Sequence, residues 1–90
     1  MSAFKINFRI QIADVADKSE VDGLDMSCTA ELPFIPRVGD KISACAGDDF
    51  REVENIYWSA KDGFEVFFVF EAVSGVQIVL MKKRGWKEDE

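Results

Sequence analysis

Histidine is absent from this 90-residue sequence. Its absence excludes every mechanism in which an imidazole acts as a general base or as a metal ligand. Cysteine is scarce: the chain has 2, Cys28 and Cys45. They form no C-x-x-C motif. Both have small or apolar neighbours, so we expect reduced, semi-buried thiols rather than a disulfide or a reactive pair.

The sequence also lacks long apolar runs. Its longest apolar stretches are Val66–Phe70 and Ile78–Met81, far short of the roughly 18 residues that a transmembrane helix needs. The N-terminal segment MSAFKINFRI alternates apolar and polar side chains and contains no apolar signal-peptide core. We therefore expect a cytoplasmic protein with no membrane partner.

The composition that remains is that of a soluble globular protein. Apolar residues make up 48% of the chain and charged residues 31%, which favours a folded chain over a disordered one. The length suffices for one hydrophobic core, so we predict a single domain over residues 1–90. The 17 acidic and 11 basic side chains give a net charge of -6, which disfavours binding to phosphate-rich partners.

Period-two alternation of apolar and polar side chains is the dominant pattern. It runs from Phe4 to Ile12 and again from Met26 to Leu32, and it predicts half-buried strands with one wet face. We find no segment with convincing helical periodicity and predict an all-β chain. Further strands are predicted at residues 41–46, 51–59, 64–72 and 76–83.

Acidic side chains are concentrated between the first two strands, in residues 13–25, which we interpret as an acidic loop. Its spacing does not match a calcium-binding EF-hand, because a loop starting at Asp17 has Val21 at its fifth position and Cys28 at its twelfth. We predict no metal site and no cofactor. Asp48 and Asp49 are expected in a solvated turn, and residues 84–90 in a C-terminal tail.

Two glycine-containing loops set the expected strand pairing. Three-residue loops at Lys61–Gly63 and Val73–Gly75 would each end in a glycine with positive φ, although a two-residue Asp62–Gly63 turn is the alternative for the first. With three-residue loops, the last hairpins have apolar side chains on both faces of the sheet. One face forms the core, and the other needs a different cover. We predict that the second face is either a self-association interface or covered within the chain. This interface consists of Tyr57, Phe67, Val69, Val79 and Met81.

The bend Pro36–Ile42, of the form P-x-V-G-D-x-I, is followed by Val53–Trp58 and a predicted hairpin. This arrangement resembles the entry to small SH3-like barrels and covers roughly residues 33–83. The long strand Phe4–Ile12 in front of it departs from SH3 domains, as does the lack of their acidic-aromatic peptide-binding pattern. The resemblance implies a fold, and no functional residues follow from it.

The expected fold is a small SH3-like barrel or a strongly bent antiparallel sheet of five to six strands. The expected function is that of a non-enzymatic interaction or accessory module that self-associates. The alternative is a nucleic-acid-binding barrel with a stacking aromatic residue among basic ones. In that alternative the contact residues are Lys82, Lys83, Arg84, Trp86 and Lys87. Trp86 could instead be a hydrophobic plug in the core.

Overall fold

A computed structural model of the protein describes residues 3–14, 24–45 and 47–88. Within these ranges the chain is all-β, with one short helix, as the alternation predicts. The elements in chain order are β1 Phe4–Asp14, β2 Leu24–Leu32, β3 Lys41–Ile42, β4 Arg51–Ser59, β5 Gly63–Phe68, β6 Glu71–Val73, α1 Gly75–Arg84 and β7 Lys87–Glu88.

The strands form one curled sheet, a half-barrel, in the order β3-β4-β5-β1-β2-β7, and β6 pairs with β1 beyond the end of β5. β1 is central and runs antiparallel to β2 but parallel to β5 and β6. The sheet is therefore mixed rather than purely antiparallel. Its parallel pairing arises because the chain returns through β3 and β4 before β5 reaches the free side of β1.

The first two strands are longer than the alternation predicts. Ile12 pairs with Leu24, and β1 and β2 take up both ends of the expected acidic loop 13–25. The middle of that loop, residues 15–23, lies outside the described residues. At the other terminus, β7 pairs with Met26 and Ser27 of β2, so part of the expected tail is a strand.

The core lies on the inner face of the sheet. Alternate β1 side chains, including Phe8, are buried there, and the ring of Phe8 stacks on Phe68 of β5 at a centroid distance of 5.5 Å. Trp86 contacts Phe68 edge-on at 6.2 Å. Because each fully buried large apolar side chain contributes roughly 1.5–3 kcal/mol, this face is the main source of stability.

The predicted strand at residues 76–83 is wrong, since this segment forms helix α1. Ser74 is the N-cap: its hydroxyl accepts a hydrogen bond from the Gln77 backbone N–H at 3.4 Å, and its own N–H donates to the Gln77 side chain. This capping box starts a helix, and the basic last turn Lys82–Arg84 favours its C-terminal end. The S-x-x-Q spacing was the available sequence signal.

The turn predictions have mixed outcomes. Gly63 has φ 76° as expected, whereas Gly75 lies in the first turn of α1 and has no positive φ. Trp58 pairs with Phe64 rather than with Val66, so the hairpin is two residues out of the predicted register. A slip of two residues keeps the side chains of residues 55–59 on their predicted faces of the sheet. A bulge between Val53 and Asn55 changes the alternation before that point, so that Val53 is buried in the core.

Candidate functional site

The predicted interface divides into two separate parts. Tyr57 and Phe67 remain neighbours, with rings edge-to-face at 5.3 Å, and Val69 follows them half-buried. Val79 is exposed on α1, and Met81 is only 1% exposed because the helix directs it into the core. The expected continuous patch therefore does not exist: its second half was assigned to a strand that is a helix.

Trp86 of the alternative nucleic-acid site is 2% exposed, and its Nε1 donates a hydrogen bond to Asp48 at 2.8 Å. In the folded domain its ring is not on a surface where a base could stack. Lys82, one of the expected phosphate contacts, forms an ion pair of 2.9 Å with Glu88. The basic residues Lys82, Lys83, Arg84 and Lys87 lie in the last turn of α1 or just after it.

β4 has an open outer edge. β3 pairs with only its first two residues. The preceding bend adds two backbone hydrogen bonds, from Gly39 N–H to the Val53 carbonyl (2.9 Å) and from Val53 N–H to the Asp40 carbonyl (2.8 Å). Among the described residues, no strand pairs with this edge from residue 54 to residue 59. An open edge is a template for pairing with another chain.

The open edge carries large exposed side chains. Tyr57 is 56% exposed and Trp58 64% exposed, and the alternation of the strand places them on opposite faces of the sheet. The segment 54–59 contains neither lysine nor proline, the residues that commonly protect edge strands from pairing. These features indicate a strand that is suited to pairing with another strand.

A groove of about 400 Å³ lies on the outer face of the sheet beside this edge. It contains half-exposed aromatic rings, among them Phe70, and the carboxylate of Glu65, which forms a 3.3 Å ion pair with Arg9. Its lining residues are Gln11, Glu54, Asn55, Tyr57, Glu65, Phe67, Phe68 and Phe70. Because Tyr57 belongs to both features, the groove and the open edge form one continuous surface.

A cluster of charged side chains lies around Arg51, the first residue of β4. The fully buried carboxylate of Asp48 accepts hydrogen bonds from Arg51 Nε and Nη2, both at 3.3 Å, and from the Trp86 indole. Arg51 also forms a 2.6 Å ion pair with Glu71. The expectation of a solvated Asp48 is thus wrong, and nothing in the sequence around this turn pointed to its burial.

The electrostatics of this cluster favour a structural role. Burial raises the pKa of Asp48, but the hydrogen bonds from Trp86 and Arg51 outweigh it, so that the pKa lies below its ordinary value. Burial lowers the pKa of Arg51, but the hydrogen bond to Asp48 and the nearby carboxylates outweigh it, so that the pKa lies above its ordinary value. A carboxylate that is held ionised at neutral pH by an ion pair and hydrogen bonds is a poor general acid or base.

Comparisons with protein-family models, with curated proteins and with solved structures found no match. Across the described ranges, no three histidine, cysteine, aspartate or glutamate side chains are grouped so that they could hold a metal ion. In the same part of the chain, no helix has the length and apolarity to cross a membrane. The open β4 edge with its aromatic side chains is the candidate site.

Proposed function

We propose that this protein is a non-enzymatic interaction module that forms a homodimer by pairing the open edges of two β4 strands. The observation that supports this proposal is the unpaired stretch of β4 at residues 54–59, with Tyr57 and Trp58 exposed on it. Backbone groups along this edge gain partners when a second strand is added. A second copy of the chain supplies such a strand.

The sequence of the edge is self-complementary. Antiparallel pairing about a two-fold axis keeps each residue on its own face of the sheet. With the axis at Tyr57, Ile56 of one copy faces Trp58 of the other, and this apolar pair occurs twice. Asn55 faces Ser59 in the same register, so no like charges oppose each other across the new ladder. Each favourable cross-strand pair contributes roughly 0.2–1 kcal/mol.

Charge substitutions at the axis test both the dimer and its register. Tyr57→Glu places two carboxylates opposite each other, and Tyr57→Lys places two ammonium groups there, so each variant alone should be a monomer. An equal mixture of the two variants should form a heterodimer, because opposite charges then meet at the axis. Sedimentation velocity at about 100 μM, a concentration that populates dimers of micromolar affinity, measures all three samples and the wild type.

The matched control is Val76→Glu, which adds the same charge at a side chain that is 70% exposed on α1. This variant should remain a dimer. Circular dichroism establishes that each variant is folded, since Tyr57 also contacts Phe67. A wild type that sediments as a monomer at every concentration contradicts the proposed function, and a mixture that stays monomeric contradicts the register.

The non-enzymatic part of the proposal is supported by the state of the titratable groups. The buried carboxylate of Asp48 is paired with Arg51, and the chain has no histidine. We also propose that the half-barrel is of the SH3-like type. The bend at Gly39 supports this, because it has φ 95° and leads directly into the β3–β4 pair.

A further inference from the structure

The two thiols of the chain meet inside the domain. Cys28 lies buried on β2, and Cys45 lies half-buried in the connection that follows β3. Their sulfur atoms are 3.3 Å apart. A disulfide bond is about 2.05 Å long, so the sulfurs need to approach by little more than 1 Å. The backbone between them has already brought two segments that are distant in sequence into contact.

We propose that Cys28 and Cys45 are a reversible modification site, at which a low-molecular-weight disulfide such as glutathione disulfide converts the two thiols into an intramolecular disulfide. The thiol of Cys45, the less buried of the two, loses its proton and attacks one sulfur of the reagent, which releases one glutathione thiolate. Cys28 then loses its proton and attacks the sulfur of Cys45, which releases the second glutathione. The protein gives up two protons and two electrons, and the reagent becomes two reduced glutathione molecules.

The environments of the two sulfurs support this order. Burial raises the pKa of both thiols, and it does so more strongly for Cys28. Contact with Cys28 partly offsets the burial of Cys45, because it lowers the pKa of Cys45. The thiolate that attacks first is therefore that of Cys45, and the reaction should be slow at neutral pH and faster as the pH rises.

The disulfide bond would link β2 covalently to the connection between β3 and β4. The Cys45 carbonyl accepts hydrogen bonds from the Asp48 backbone N–H and from the Ser43 hydroxyl, both at 3.0 Å. Asp48 in turn holds the indole of Trp86. Because the crosslink constrains the unfolded chain while these contacts remain, the thermal midpoint of the oxidised protein should rise by about 10 °C.

The test is oxidation of the folded protein with glutathione disulfide, followed by acid quenching, alkylation of free thiols and intact-mass measurement. The wild type should lose two hydrogens, keep no alkylation site and carry no glutathione. Cys28→Ser should stop with one glutathione attached to Cys45. Cys45→Ser should remain largely unmodified, because its remaining thiol is buried. The protein is kept dilute, so that the result does not depend on dimer formation.

The wild type alone decides the proposal if either variant fails to fold. A wild-type product that retains glutathione, or that links two chains, would overturn it, and so would two thiols that survive conditions under which the urea-unfolded chain is oxidised. A thermal midpoint that falls on oxidation would also overturn it, because the bond would then distort the native contact. Dithiothreitol should restore the original mass and midpoint.

Discussion

The carboxylate of Asp48 connects parts of the chain that are far apart in sequence. It accepts hydrogen bonds from Arg51 at the start of β4, from Trp86 after α1 and, at 3.4 Å, from Arg84 at the end of that helix. Its side chain is fully buried, and that of Arg51 is nearly so. Removing one member of a buried ion pair leaves the other charge without its partner, at a substantial cost in free energy.

We therefore expect Asp48→Asn to lower the free energy of unfolding at neutral pH by about 3 kcal/mol. Asparagine retains the shape of the side chain but loses the negative charge that faces Arg51. Urea denaturation measures the difference. The control is Asp49→Asn, at the exposed neighbouring position, which should change stability by less than about 0.5 kcal/mol. Equal effects of the two substitutions would show that the cluster contributes little.

The stability difference between the wild type and Asp48→Asn should depend on pH. Asp48 has a pKa below its ordinary value in the folded protein, so its contribution to stability is present above the unfolded pKa of about 3.9. That contribution is lost as the pH falls through the lower, folded value. The difference between wild type and Asp48→Asn should thus be constant above about pH 5 and shrink below about pH 4. A difference that grows in acid would contradict the direction of the shift.

Helix α1 depends on its N-cap rather than on a strongly amphipathic sequence. Two of its apolar residues, Ile78 and Met81, are buried, whereas Val79 and Leu80 are exposed. We expect Ser74→Ala to destabilise the protein by about 1 kcal/mol, because the first-turn N–H of Gln77 loses its acceptor. Val76→Ala, an exposed change in the same turn, is the matched control. Thermal unfolding measures both, and equal midpoints would show that the cap contributes nothing.

The elements differ in how far the sequence could predict them. β1, β2 and β4 follow from alternation, because one face of each is wet and the other lies in or beside the core. The sequence does not distinguish helix α1 from a strand, because the apolar stretch Ile78–Met81 is compatible with both. The capping box Ser74–Gln77 and the glycine at position 85 were the local signals that separate the two.

At the scale of the whole molecule, the fold depends on contacts that no local rule reaches. β1 pairs in parallel with β5, for example Phe8 with Val66. Loop lengths predict the register only of antiparallel strands that follow each other in the sequence, so they could not predict this pairing. The same limit applies to the candidate site. The sequence places Tyr57 on a second apolar face that is either an interface or covered within the chain, but the open edge of β4 becomes visible only once the strand order is known.

The net charge of -6 on each chain gives the proposed dimer a distinctive response to salt. Two such chains repel each other, and salt screens that repulsion with a Debye length that falls to about 10 Å at 0.1 M. The pairing proposed at Tyr57 opposes no charges, so the dimer should tighten a few-fold between about 20 and 300 mM sodium chloride. Nucleic-acid binding responds in the opposite direction, because salt weakens phosphate contacts steeply. Sedimentation equilibrium over this salt range measures the dissociation constant, and a dimer that weakens with salt would indicate an interface built from ion pairs rather than from the β4 edge.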